Sequence, residues 1–253
     1  MRRIGLHYAL QSYNHGGYAM KTIRMAALAA GLLVGLPVAA QAQDADDEAA
    51  EWEIDGEIGL LSDYRFRGVS LSGEDPEVTA ELSVAHESGF YAGTWLSNVD
   101  LGSGADDLEV DLYAGYATDL GGVTMDVGAI YYLYPGNGSF DYVEFTGSLG
   151  TQIGAAEMSV GVAYAPSQGA LGNTDNTYVF ISGDLPLGDS PLSLHGTFGY
   201  EDGAFATNKK DWLLGVSYDV GAGFTLTADY VDTAHGPVAT GDATAVFSIT
   251  KSF

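Results

Sequence analysis

From Trp52 to the end of the chain, hydrophobic and polar positions alternate with a period of two. Trp52, Ile54, Ile58 and Leu60 alternate with Glu53, Asp55 and Glu57, and Val78, Ala80, Leu82 and Val84 with Glu77, Thr79, Glu81 and Ser83. Leu108, Val110, Leu112, Ala114 and Tyr116 alternate with Glu109, Asp111, Tyr113 and Gly115, and Val123, Met125, Val127, Ala129, Tyr131 and Leu133 with Thr124, Asp126 and Gly128. The same rhythm runs through Met158/Val160/Val162/Tyr164, Leu192/Leu194/Phe198/Tyr200, Trp212/Leu214/Val216/Tyr218 and Phe224/Leu226/Ala228/Tyr230. Side chains of a strand point alternately to opposite faces, so this pattern predicts strands with one greasy and one polar face. No long segment follows the helical period.

About twelve strands are predicted, over residues 52–67, 77–86, 90–99, 108–118, 123–134, 142–151, 156–164, 177–184, 191–200, 211–219, 224–232 and 243–253. Tilted strands of this length cross a bilayer. Long polar loops (68–76, 100–107, 135–141, 165–176, 201–210, 233–242) alternate with short turns (87–89, 119–122, 152–155, 185–190, 220–223). Outer-membrane barrels connect their strands this way, with long loops outside and tight turns on the periplasmic side. The expected fold is therefore all-β, a transmembrane antiparallel up-and-down barrel. Its even strand count puts both ends of the barrel in the periplasm.

Before Trp52 the pattern changes. Residues 1–42 contain no Asp or Glu; Lys21 and Arg24 precede an apolar run at 25–36, Pro37 breaks it, and Ala40-Gln41-Ala42 is a small-x-small cleavage site. These are the three parts of a secretory signal peptide, read over 20–42, and the run is too short to span a bilayer. Residues 1–19 have no place in such a leader, so Met20 is read as the start of translation. Residues 43–51 (QDADDEAAE) form an acidic tail, and 52–253 the barrel.

Without the leader, five Lys plus Arg remain against 34 Asp plus Glu, a formal charge of −29. Phosphate backbones need a basic surface, so nucleic acid is excluded as a partner. With 46 % hydrophobic and 11 % aromatic residues, the acidity does not signal disorder. The absence of cysteine rules out disulfides and thiolate metal sites. A closed ring of paired strands supplies stability by another route.

Two features place the barrel in lipid. Tyr64, Phe66, Tyr134, Tyr142, Tyr164, Tyr178, Tyr200, Trp212 and Tyr230 cluster near the outer loops, and Tyr116, Tyr218, Phe224 and Phe253 near the other rim, as headgroup-level aromatics would. The last strand alternates Ala243, Ala245, Phe247 and Ile249 and ends on Phe253, the form of terminal strand that the barrel-insertion machinery engages. Lys251 shares the apolar parity, close enough to the rim for its head to reach water. The expected partners are the outer-membrane bilayer and that machinery, and the location is the outer membrane of a Gram-negative bacterium. Periodicity alone does not distinguish apolar-out from apolar-in, so a soluble sandwich or lipocalin-like barrel stays open as the alternative.

Four stretches carry a family resemblance: Ser62-Asp63-Tyr64-Arg65-Phe66-Arg67-Gly68-Val69-Ser70, residues 88–99 (SGFYAGTWLSNV), 109–116 (EVDLYAGY) and 126–136 (DVGAIYYLYPG). Together they resemble the TorF-type porins, conserved bacterial proteins without an established function. The resemblance covers about 52–253, with its specific motifs within 62–136. It implies an outer-membrane location and a pore, and it brings no substrate and no catalytic residue.

If the greasy face meets lipid, Glu53, Asp55, Glu57, Asp63, Arg65 and Arg67 point inward, with Glu81, Glu109, Asp111, Asp126, Glu144 and Glu157. Arg65 and Arg67 share parity with the acids, so the reading is a charged constriction in a narrow, acidic channel for small, cationic solutes. Twelve strands lie between filled eight-strand barrels and open sixteen-strand porins, so a narrow pore and a plugged barrel are both open. Two further readings are a non-conducting structural or surface barrel and an outer-membrane lipid hydrolase. Catalysis would need a Ser–His pair with an orienting acid; among His86, His195 and His235, only His195 shares a strand face with a serine, Ser193. The chain is read as a non-enzyme without cofactor or metal, since the loop acids Asp106, Asp107 and Asp175 lack calcium-loop spacing. The glycines at 136 and 138 are turn chemistry.

Overall fold

A computed structural model of the chain describes residues 52–101, 108–136, 138–236 and 240–253. The leader expected over 20–42, the tail at 43–51 and the acids Asp106 and Asp107 lie outside the described residues.

The strands are β1 (Trp52–Leu61), β2 (Arg65–Phe66), β3 (Val69–Ser70), β4 (Glu77–His86), β5 (Phe90–Asn98), β6 (Leu108–Asp119), β7 (Val123–Leu133), β8 (Tyr142–Ile153), β9 (Ala156–Ala165), β10 (Asn176–Pro186), β11 (Leu192–Gly203), β12 (Lys209–Gly221), β13 (Phe224–Ala234) and β14 (Thr244–Ser252). Twelve of them, β1 and β4 to β14, form a closed antiparallel barrel in which each strand pairs with its neighbour in sequence. β1 closes the ring on β14 with Glu57 opposite Ser252 and Leu61 opposite Ser248. Closure leaves no strand edge unpaired, as a strand structure in hydrocarbon requires.

The short connections are built by local side chains. Between β6 and β7, the Asp119 carboxylate accepts the backbone N–H groups of Gly121 (2.8 Å) and Gly122 (3.1 Å). Both glycines have positive φ, at 87° and 100°, a conformation that costs other residues a Cβ clash.

The direction of the two faces distinguishes a greasy-out barrel from a greasy-in one. Ile54 is 68 % exposed, Leu214 66 % and Phe247 60 %, whereas Glu77, Glu109, Glu144 and Asp211 are at most 1 % exposed. On the barrel strands the greasy side faces out, and these four acids face in. A lipocalin-like barrel has the reverse arrangement, and that alternative is set aside.

Inside, aromatic rings lie against glycines of the adjoining strand. A Cβ on Gly93 would meet the Tyr113 ring, one on Gly115 the Tyr91 ring, one on Gly161 the Phe180 ring and one on Gly199 the Tyr178 ring. Each ring is thereby held along the wall. Outside, the Phe253 ring covers Gly56 at the β1–β14 seam.

Two sequence expectations change. The first strand was expected to run to 67 but stops at Leu61, and residues 65–70 fold into the separate β2–β3 hairpin. The aromatic girdle is also thinner than expected. Tyr64, Tyr134, Tyr142 and Tyr178 are buried in the lumen, and Phe66 is half-buried on the hairpin. Tyr164, Tyr200, Trp212 and Tyr230 keep the outward parity.

Candidate functional site

The site begins with a two-residue turn. Phe66 pairs with Val69 and Arg65 with Ser70, leaving Arg67 (φ 50°) and Gly68 (φ 81°) at the tip. Two successive positive φ values define the turn whose twist matches a tight hairpin. Gly68 takes this conformation freely. Arg67 takes it at a cost, so its contacts have to compensate.

Those contacts reach the far side of the barrel. The Arg67 guanidinium donates to Glu144 Oε1 on β8 (2.5 Å) and to Glu201 Oε1 on β11 (2.8 Å). It also sits between the rings of Phe66 (4.6 Å) and Tyr178 (4.5 Å). Around the ring, β8 and β11 lie on the wall facing β1, so the hairpin crosses the lumen. Lys209 completes the anchor: its ammonium donates to Glu201 Oε2 (2.9 Å), to the backbone oxygen of Arg67 and, at 3.5 Å, to Asp211. Asn176 donates to Glu201 as well (3.0 Å). Burial alone would lower the Arg67 pKa, but Glu144 and Glu201 outweigh it and raise it further, so the group stays charged.

The base of the hairpin is held by Arg65, which is 1 % exposed. It pairs with Asp63 and with Glu74 (3.2 Å), and it donates to the backbone oxygens of Thr240 (2.8 Å) and Asp242 (3.2 Å). Ser70 donates from its backbone to Thr240 O (2.8 Å) and from Oγ to Asp63 (2.6 Å). The hairpin thus bridges the first outer loop and the loop between β13 and β14.

Tyrosines clamp the carboxylates around it. Glu109 accepts from Tyr64 (3.0 Å) and Tyr134 (2.6 Å), and Asp211 from Tyr178 (3.1 Å). Burial, followed by the charge of Glu109, raises the pKa of both Tyr64 and Tyr134, which keeps them hydrogen-bond donors. Tyr132 and Tyr142 stack with centroids 4.4 Å apart, and Phe66 meets Tyr132 edge-on at 6.1 Å. Deeper in the lumen, Tyr91 donates to Asp126 (2.9 Å) and Tyr113 to Glu81.

The residues expected to line a pore therefore fall into three groups. Asp63, Arg65, Arg67, Glu109 and Glu144 converge on the hairpin, with Asp111 half-buried on the adjoining wall. Glu81 and Asp126 sit deeper, each under a tyrosine. Glu53, Asp55 and Glu57 lie apart, on the inner end of β1, where Ser252 donates to Glu57 (2.9 Å), and Glu157 is exposed at the inner end of β9. Sequence reading missed Tyr178, Glu201, Lys209 and Asp211. The signal was present, since Lys209 and Asp211 alternate with Lys210 and Trp212.

The Ser193–His195 pair does not form the contact that catalysis would need. His195 instead meets Asp229 through Nε2 (2.7 Å), while its Nδ1 lies 3.4 Å from Ser217 Oγ, which is equally close to Thr227 (3.3 Å). Among the described residues, no group of three or more His, Cys, Asp and Glu has an arrangement that holds a metal ion.

Solved structures share this architecture. The NanC porin aligns with a TM-score of 0.55 at 13 % identity, over 79 % of this chain and 99 % of that one. The KdgM porin aligns at 0.54 and 9 % identity, over 79 % and 97 %, and has a further structure in complex with disordered oligogalacturonate. An outer-membrane channel from Pseudomonas putida F1 aligns at 0.50 and 8 % identity, over 83 % and 100 %. At such identities the likeness is one of fold. No curated protein sequence matches the chain. One family does match, over residues 45–253, and the chain belongs to it: the bacterial proteins of unknown function designated Gcw_chp.

Proposed function

We propose that the chain is an outer-membrane channel of narrow bore, closed in its outer half by the β2–β3 hairpin and selective for small cationic or neutral polar solutes. The observation that carries this reading is Arg67, which ties a loop-borne hairpin across a twelve-strand lumen to Glu144 and Glu201. A purely structural barrel fills its interior from its own walls. Here the wall rings lie against glycines of the adjoining strand, and the obstruction is a separate segment held by side chains.

Selectivity follows from charge. The three inward cations Arg65, Arg67 and Lys209 are outnumbered by inward acids, so the lumen attracts cations and repels polyanions. An anion of the kind seen with the KdgM porin, oligogalacturonate, is a poor solute for such a lumen. The resemblance of residues 62–136 to TorF-type porins favours the same reading. So does the terminal Phe253, which we assign to engagement by the insertion machinery.

The test is reversal potential in planar bilayers under a salt gradient, with wild type and Arg67→Ala. Discrete steps with cation preference are expected. Anion preference, or silence in both proteins, contradicts the proposal.

A further inference from the structure

Every basic side chain of the exported chain but one is engaged. Arg65, Arg67 and Lys209 are in ion pairs inside the lumen, and Lys251 donates to the backbone oxygen of Ser252 at the inner rim. Lys210 has neither an ion pair nor a hydrogen bond among the described residues. In a chain with 34 carboxylates, an unpaired ammonium calls for an explanation.

Lys210 stands at the outer end of β12 on the outward parity, opposite Tyr200 of β11 and Ala234 of β13. Two residues further in, on the same face, is Trp212, followed by the lipid-facing Leu214. The ammonium is therefore carried just above the outward aromatics Tyr200, Trp212 and Tyr230, at the level where phosphates of the outer leaflet lie. There it lines an open surface depression of about 500 Å³ together with Tyr200, Thr207, Asn208 and His235. Its wall is organised. Tyr200 donates to Asn208 Oδ1 (2.9 Å) and His235 Nδ1 to the backbone oxygen of Asn208 (3.2 Å). Asn208 and His235 both hold positive φ, at 53° and 63°. Two carboxylates stand near by, each hydrogen-bonded to its own loop or strand: Asp202 accepts from the Asn208 backbone (3.0 Å), and Asp232 from Tyr230 (3.2 Å) and the Thr233 backbone (2.8 Å); neither makes an ion pair with Lys210.

We infer that this rim depression holds a phosphate of an outer-leaflet glycolipid, with Lys210 as the charged donor and Thr207 as a second, neutral one. An outward cation over an aromatic band is the chemistry that recognises an anionic headgroup, whereas a lumen solute would meet the opposite parity. The inference rests on the outer-membrane placement proposed above.

The experiment uses the full exported chain refolded in detergent, with bound lipid counted by native mass spectrometry. The probes are lipid A bearing two phosphates, its dephosphorylated form, and inorganic phosphate. Wild type is expected to retain lipid A; Lys210→Ala and Lys210→Glu should weaken retention by about tenfold or more, as loss of a charge-assisted hydrogen bond does. Lys210→Arg should restore it, and Lys251→Ala at the opposite rim should leave it unchanged. Equal retention of the dephosphorylated lipid, retention by Lys210→Glu like wild type, or displacement by equimolar inorganic phosphate overturns the inference. Heat-modifiable migration and vesicle insertion of the same preparation test the membrane placement separately. A barrel that inserts yet ignores lipid A contradicts this inference alone.

Discussion

Replacing Arg67 by alanine separates the hairpin from the barrel. The guanidinium makes two charge-assisted bonds, at 2.5 Å and 2.8 Å, to carboxylates whose side chains are 1 % and 3 % exposed. Breaking a buried pair by removing one partner costs about 3–5 kcal/mol, because the other charge is left uncompensated. Loss of the cation–ring contacts to Phe66 and Tyr178 adds about 1 kcal/mol. The twelve-strand ladder does not use Arg67, so the cost falls on the closed arrangement of the hairpin. At about 1.4 kcal/mol per factor of ten, even 3 kcal/mol shifts the balance toward a displaced hairpin more than about a hundredfold. Single-channel recording should show longer openings or larger steps, while the mobility shift on heating stays as in wild type. Arg67→Lys, which keeps the charge and loses the fork, should fall between the two. Openings indistinguishable from wild type in Arg67→Ala would refute the role given to this residue.

Further outcomes follow from the same geometry. Leu214→Arg puts a charge near the middle of β12 on the lipid face and should cost about 2–4 kcal/mol in urea unfolding from vesicles; a cost under about 0.5 kcal/mol contradicts the outward assignment. Gly199→Val drives a side chain into the Tyr178 ring under Arg67, so about 1–3 kcal/mol of overpacking and partial opening are expected, against a smaller effect for Gly199→Ala. Deleting Phe253 removes its two backbone bonds to Gly56 at the barrel seam (2.9 Å and 3.0 Å). The heat-modifiable fraction in cells should drop more than refolding in detergent does; equal losses contradict the insertion role.

The barrel was legible because an outer face built for hydrocarbon, as proposed above, imposes one rule on every strand. Ile54, Leu82, Leu214 and Phe247 have to be apolar whatever their neighbours, so period two survives in each segment. The lumen obeys no such rule. Tyr134, Tyr142 and Tyr178 read as girdle residues because tyrosine suits a headgroup and a lumen equally well, provided its hydroxyl finds an acceptor. Tyr134 finds Glu109 and Tyr178 finds Asp211. Parity held the missing signal, since Tyr142 shares a face with Glu144 and Tyr178 with Asn176. The hairpin was hidden for a local reason. Tight two-residue turns favour Asn-Gly or Asp-Gly, and Arg67-Gly68 lies in a stretch that continues the strand's alternation. What keeps Arg67 at positive φ is a pair of acids 77 and 134 residues away, which local pattern does not reveal.

The proposed channel requires that the greasy side of each strand meets lipid. Because the chain has no cysteine, single cysteines can be placed along residues 212–218 of β12 and nitroxide-labelled in reconstituted vesicles. Oxygen, which partitions into hydrocarbon, should relax labels at 212, 214, 216 and 218 strongly and those at 213, 215 and 217 weakly. The inverse phase, or no alternation, would contradict the barrel described here.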